Sequence, residues 1–217
     1  RKARVLALHG TPANSAILQM QAAKFRKELG ADFEWVFVDS PMVWQPIPDS
    51  QDPLFKEPSD FEKRLAKDKP FLWWYSHGNG CYSRVDEGVA TLRRLLDEAK
   101  PVDVIVAFSQ GSNLVSLLHD ALRQEGAQAS WRLSVFFCGG QIDDRIYRFP
   151  ESWRCAHPTV RVFSAGSDAW FGSGEPSLNT MYSDLLELGH ADGHAFPSTQ
   201  PRAGEIYSQV AREVRRR

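Results

Sequence analysis

Val104-Ile105-Val106-Ala107-Phe108-Ser109-Gln110-Gly111-Ser112-Asn113-Leu114-Val115 changes its periodicity at a single residue. Behind Asp103, Val104 to Val106 are β-branched and apolar, which predicts a strand buried on both faces. Beyond Gly111, the residues Leu114, Val115, Leu117, Leu118 and Leu122 fall on one side of a helix. Ser109 then stands at the sharp bend between them, its hydroxyl exposed at the head of the helix. Small residues are required two positions to either side because strand and helix backbones approach closely, and Ala107 and Gly111 supply them. A serine N-cap opening an ordinary helix would give the same local pattern, so the rest of the chain must discriminate.

Working outward from that stretch, other strands also end in chemistry-bearing residues. Arg4 to Leu8 predicts a strand ending in His9-Gly10-Thr11-Pro12, followed by a helix over 16–29, capped by Asn14 or Ser15 and closed by Gly30. Phe33 to Val38 completes a β-α-β unit with parallel strands. A helix over 84–99 capped by Ser83 precedes the central stretch. After it come strands over 133–137 and 159–164, a short helix over 177–182, a short strand over 185–188 and a final helix over 202–215. The alternation predicts a three-layer α/β/α, doubly wound, mostly parallel sheet in one domain spanning 1–217. Segment 39–70 is different: Pro41, Pro46, Pro48, Pro53, Pro58 and Pro70 interrupt regular structure, while Trp44, Phe55 and Phe61 are too apolar for a disordered linker. A partial lid within the domain is expected there.

Composition narrows the function. The 217 residues carry Lys+Arg 26 against Asp+Glu 27, a net charge of -1, which argues against a nucleic-acid surface. No apolar run is long enough to span a membrane, so no stable membrane insertion is expected. The three cysteines, Cys81, Cys138 and Cys155, form neither a disulfide framework nor a C-x-x-C pair. A reducing, cytoplasmic location is the expectation, with room for a targeting segment upstream of Arg1.

In parallel sheets ligands bind beyond the carboxyl ends of the strands, where Ser109, Asp168 and His194 are expected, in the chain order of α/β-hydrolases. Serine needs an imidazole to take its proton and return it to the leaving group. His194 is the candidate base, Ser109 the nucleophile, and Asp168 the acid that orients the imidazole; Asp143, Asp144, Asp184 and Asp192 are alternative acids. Backbone N–H groups of Thr11 and Gln110 are the candidate oxyanion donors, Pro12 having none. His190 and His194 are spaced as a helical zinc pair, but Gly189, Asp192 and Gly193 oppose a helix there, so neither metal nor cofactor is expected. Trp44, Trp74, Trp170 and Phe171 are candidates for an apolar wall favouring an aliphatic acyl group.

Leu8-His9-Gly10 with Asn14, Trp73-Trp74-Tyr75, Phe108-Ser109-Gln110-Gly111-Ser112 and His190-Ala191-Asp192-Gly193-His194-Ala195-Phe196-Pro197 together resemble the FSH serine hydrolases over nearly the whole chain. The resemblance implies an α/β-hydrolase fold, the triad Ser109, Asp168 and His194, and cleavage of carboxylic esters or thioesters through an acyl-enzyme. An acyl-protein thioesterase or lysophospholipase-like hydrolase is the alternative. A non-catalytic binding protein on the same fold is the reading from another class.

Overall fold

The computed structural model describes residues 1–78, 81–142, 144, 146, 147, 149, 150, 152–166 and 176–217. In chain order, β1 (Ala3–Leu8), α1 (Ser15–Gln21), α2 (Ala23–Leu29) and β2 (Phe33–Val38) are followed by the Pro-rich segment. That segment holds β3 (Met42–Val43), a 3-10 turn over Pro53–Phe55 and α3 (Asp60–Leu65). β4 (Leu72–Trp73), β5 (Ser76–Gly78) and β6 (Cys81–Ser83) lead to α4 (Val85–Glu98), β7 (Val104–Phe108) and α5 (Gln110–Gln124). β8 (Leu133–Phe137), β9 (Thr159–Ser164), β10 (Leu185–His190) and α6 (Arg202–Arg216) complete the chain.

Six strands form the central sheet in the order β10-β9-β8-β7-β1-β2. Every neighbouring pair is parallel. Alternate side chains of each strand feed two cores. Val5, Ala7, Val104, Val106 and Phe137 pack with Leu18, Phe25 and Leu29 of α1 and α2 and with Ile206, Val210 and Val214 of α6. Leu6, Leu8, Ile105, Ala107 and Phe136 pack on the other face with Leu92 and Leu96 of α4 and Leu114, Val115 and Leu118 of α5. This is the expected three-layer α/β/α arrangement, and it explains why β7 is apolar on both faces.

Local departures have local causes. The expected helix over 16–29 is two helices meeting at Ala22, its start capped by the Asn14 carboxamide oxygen, which accepts from the N–H groups of Ala16 and Ile17. α4 has Arg84, in the left-handed region, as its N-cap in place of the expected Ser83, and Arg84 makes no side-chain capping bond. The stretch 177–182 is a turn, in which the Met181 and Tyr182 N–H groups donate to the Leu178 carbonyl, rather than a helix. β3 and β4 pair antiparallel and tie the start of the Pro-rich segment to its end.

After β1 the chain builds outward to β2, and it later returns to the other side of β1 as β7. The connections leaving β1 and β7 therefore diverge, and the crevice between them lies where Thr11 and Ser109 emerge.

Candidate functional site

Ser109 ends β7 with φ 50 and ψ -121, a backbone conformation that L-residues seldom adopt. Its N–H donates to Phe137 O at 2.8 Å, extending the β7–β8 ladder through the bend. Its carbonyl already accepts from Ser112 and Asn113 in the first turn of α5. The requirement for small residues is visible in distances. A Cβ on Gly111 would stand 2.6 Å from His9 O, and one on Gly10 would stand 2.9 Å from the Ser109 Cβ. Ala107 is fully buried, and its methyl is accommodated.

Across the crevice, His194 Nε2 lies 2.9 Å from Ser109 Oγ. His194 occupies the centre of a γ-turn closed by Ala195 N–H donating to Gly193 O at 2.8 Å. The segment after it is anchored in the core. Phe196 stacks on Phe137 with ring centres 4.3 Å apart and on Phe108 at 5.3 Å, and the Tyr207 hydroxyl donates to Pro197 O at 2.6 Å. The Asp192 carboxylate accepts from the N–H groups of Ser198 and Thr199 and from both hydroxyls. The Thr199 hydroxyl foremost, with these other donors, holds its pKa down to about 2.

The residues that carry the two expected oxyanion donors touch through their side chains, the Thr11 hydroxyl donating to Gln110 Oε1 at 2.6 Å. Gln110 Oε1 also accepts from Trp74 N, and its Nε2 donates to Tyr75 O, so this one amide joins three segments at the head of α5. His9, fully buried, fixes the neighbouring peptide. Ser40 N–H donates to its Nε2, which leaves the proton on Nδ1, directed at Gly10 O 2.6 Å away. Burial lowers the His9 pKa to about 4, so the ring is neutral near pH 7. Because Gly10 C=O and Thr11 N–H lie in one peptide plane and point oppositely, holding the first orients the second.

A cavity of about 250 Å³ opens on Ser109 and His194. Thr11, Tyr75, His77, Tyr82, Gln110, Asn113, Cys138 and Gln141 line it with them. Asp52 and Leu54 of the Pro-rich segment complete the wall. Burial raises the Tyr75 phenol well above its ordinary pKa, so it is a neutral hydrogen-bonding group. Trp44 and Trp74, expected in an apolar wall, do not line this cavity. Each indole N–H is satisfied inward: Trp44 donates to Leu54 O at 3.1 Å, and Trp74 donates to His9 O at 2.8 Å while its ring stacks on His9. Asp168, Trp170 and Phe171 lie outside the described residues, as does Asp143.

The other alternative acids are engaged elsewhere. Asp144 accepts from the N–H groups of Tyr82, Ile146 and Tyr147, Asp184 pairs with Arg217 at 2.6 Å, and Asp192 caps the turn at Ser198. His190 and His194 do not share a helix, and among the described residues no group of three His, Cys, Asp or Glu could hold a metal ion. Among the described residues, no helix is long and apolar enough to cross a membrane. Sequence reasoning missed several polar groups of the cavity: Tyr75 stood in the Trp73-Trp74-Tyr75 motif without a role, and Asp52, Asn113 and Gln141 carried no local signal.

The profile of the family described as serine hydrolase (FSH1) matches residues 1–206. Similar proteins include the esterase OVCA2 of Xenopus tropicalis, 28% identical over 93% of this chain and 89% of that protein. Human esterase OVCA2 is 26% identical over 93% of this chain and 92% of its own length. Among solved structures, a carboxylesterase from Mesorhizobium loti superposes with a TM-score of 0.60 at 15% identity, covering 97% of this chain and 89% of the other. A thioesterase of the prodiginine pathway in Streptomyces coelicolor gives 0.58 at 12% identity, covering 98% and 85%. At such identities these structures show the fold, an α/β-hydrolase.

Proposed function

The chain belongs to the serine hydrolase (FSH1) family, and from that premise we propose that it cleaves small carboxylic esters or thioesters through an acyl-enzyme on Ser109. The observation that carries this assignment is the 2.9 Å contact between Ser109 Oγ and His194 Nε2 at the head of α5.

Oγ attacks the acyl carbon while its proton passes to His194 Nε2. The tetrahedral oxyanion is met by the N–H groups of Gln110 and Thr11, one at the first turn of a helix and the other on the peptide that His9 orients. The C–O or C–S bond breaks, and the leaving group departs with the proton from His194. Water then attacks the acyl-enzyme, giving its proton to His194, and the acid is released as Ser109 regains its hydrogen. Asp168 is the acid assigned to orient the imidazole and stabilise the imidazolium. The engagement of Asp144, Asp184 and Asp192 with other partners supports that choice. The chemistry needs no cofactor.

The cavity wall bears on the choice of substrate. With Trp44 and Trp74 turned into the core, the rings of Tyr75 and Tyr82, the Cys138 side chain and Leu54 give the space beside Ser109 a mostly apolar wall, into which hydroxyl, amide, imidazole and carboxylate groups are set. A volume of about 250 Å³ is slightly below the usual range for drug-sized ligands. The volume favours a compact acyl group over a long aliphatic chain, and the hydroxyl, amide and imidazole groups on the wall can meet polar substituents on it.

Labelling by a fluorophosphonate probe, with turnover of esters and thioesters graded by acyl length and polarity, tests the reading. Wild type labels, Ser112→Ala labels equally, and Ser109→Ala neither labels nor retains more than about a thousandth of kcat. A folded wild-type protein that resists the probe would overturn the hydrolase assignment. Faster turnover of a lysophospholipid or palmitoyl-protein than of short esters would overturn the substrate class.

A further inference from the structure

Behind His194 a thiol and an imidazole meet. Cys138 follows β8 with φ 49, a left-handed conformation costly for a residue other than glycine. Its N–H donates to Val162 O at 2.9 Å, and its side chain is completely buried. Sγ lies 3.3 Å from Ala195 O and 3.9 Å from Gly193 O. These carbonyls flank His194, and the γ-turn that presents the imidazole is built between them. On its other side, Sγ is 3.8 Å from Nε2 of His190, the last residue of β10.

The direction of this chain of contacts follows from one hydrogen bond. Asp192 N–H donates to His190 Nδ1 at 3.2 Å, so a neutral His190 carries its proton on Nε2, facing the sulfur. The thiol can then donate to Ala195 O, the nearer of the two carbonyls. Asp192, which sets the tautomer through its N–H, also caps Ser198 and Thr199 through its carboxylate. The segment on both sides of His194 is thus tied through Asp192, His190 and Cys138 to the ends of β8 and β10.

We propose that Cys138 and His190 are positioning residues for the general base: His190 orients the thiol, and the thiol fixes the turn that aims His194 Nε2 at Ser109 Oγ. The inference rests on the assignment of His194 as the base. A proton transfer over 2.9 Å tolerates little displacement, and a shift near 1 Å in a reacting group costs up to about a hundredfold in rate. Neither residue needs to touch the substrate's reacting atoms for this role. A serine at 138 keeps a donor with shorter reach, and a glutamine at 190 keeps an N–H near the position of Nε2, so both conservative variants preserve part of the arrangement.

The experiment compares wild type with Cys138→Ala, Cys138→Ser, His190→Ala and His190→Gln. It measures kcat and KM on a short ester, the rate of fluorophosphonate labelling, and Tm. Cys138→Ala and His190→Ala are expected to lower kcat by about 10- to 100-fold at near-constant KM, with the labelling rate falling in parallel. Cys138→Ser and His190→Gln recover a measurable share of that loss. The proposal fails if Cys138→Ala labels and turns over like wild type. It fails equally if serine is no better than alanine and kcat, KM and Tm fall together, the pattern of a packing residue. Ser109→Ala is the control: if wild type itself does not label, the assignment of nucleophile and base is overturned, and the positioning roles go with it.

Discussion

The two loops that meet at 2.9 Å are held by opposite means. Ser109 is placed by its immediate neighbours: a strand buried on both faces, a forced left-handed residue and a helix whose first turn packs on the end of β1. His194 sits in a segment with little regular structure, placed by residues distant in sequence: Phe137 and Phe108 against Phe196, Tyr207 against Pro197, and Cys138 against Ala195. A site built this way separates its failure modes. Damage to the first loop is steric and local, whereas damage to the second is a loss of packing that passes through the core.

The largest effect comes from breaking the local side. Gly111→Val places a branched side chain where even a Cβ would be 2.6 Å from the His9 carbonyl, and both elements meeting there are backbone. Loss of at least about a hundredfold in kcat is expected, together with a lowered Tm, because the same collision displaces the His9–Thr11 loop. A variant with wild-type turnover would show that the elbow tolerates what its geometry forbids.

Phe196→Ala tests the assembled side. Removing a buried ring stacked between Phe108 and Phe137 should cost about 3–5 kcal/mol in chemical denaturation and reduce kcat in the molecules that remain folded. Stability loss with fully retained kcat would mean that the His194 turn is held without the core.

A pH dependence tests both sides together. His9 and His157 are held neutral by burial at pKa values of about 4, and His119 is shifted down in the same way, its ring 4.8 Å from His157. The folded protein therefore binds fewer protons than the unfolded chain below the unfolded histidine value near 6.5. The contribution of His9 and His157 is intact above that value, is lost as pH falls from about 6.5 to about 4, and levels off below. Urea midpoints across this interval should fall with pH, and His157→Gln should flatten the slope; a midpoint constant from pH 7 to 4 would contradict the burial.

The comparison also marks what could be read in advance. The shift from an unbroken apolar run to a helical period at Ser109, the alternation of elements and the small residues at 107 and 111 made the sheet and the elbow legible, because each depends on residues close in sequence. His194 was legible as a residue in a glycine-flanked loop. Its environment was not: nothing near Cys138 or His190 announces that they meet behind it. Trp44 and Trp74 were misjudged for the same reason, since an indole's direction depends on which carbonyl lies within reach of its N–H, here Leu54 and His9.

By itself, then, the sequence determined the α/β architecture, the bend at Ser109 and the identity of the residues available for the chemistry, all consequences of local sterics and periodic burial. Only the tertiary structure decided that Ser109 and His194 come into contact, that Gln110 ties Thr11 to the Trp74–Tyr75 backbone, and which side chains line the cavity. Those outcomes depend on the strand order of the whole sheet, which brings together segments many residues apart, and no local pattern encodes which of them become neighbours.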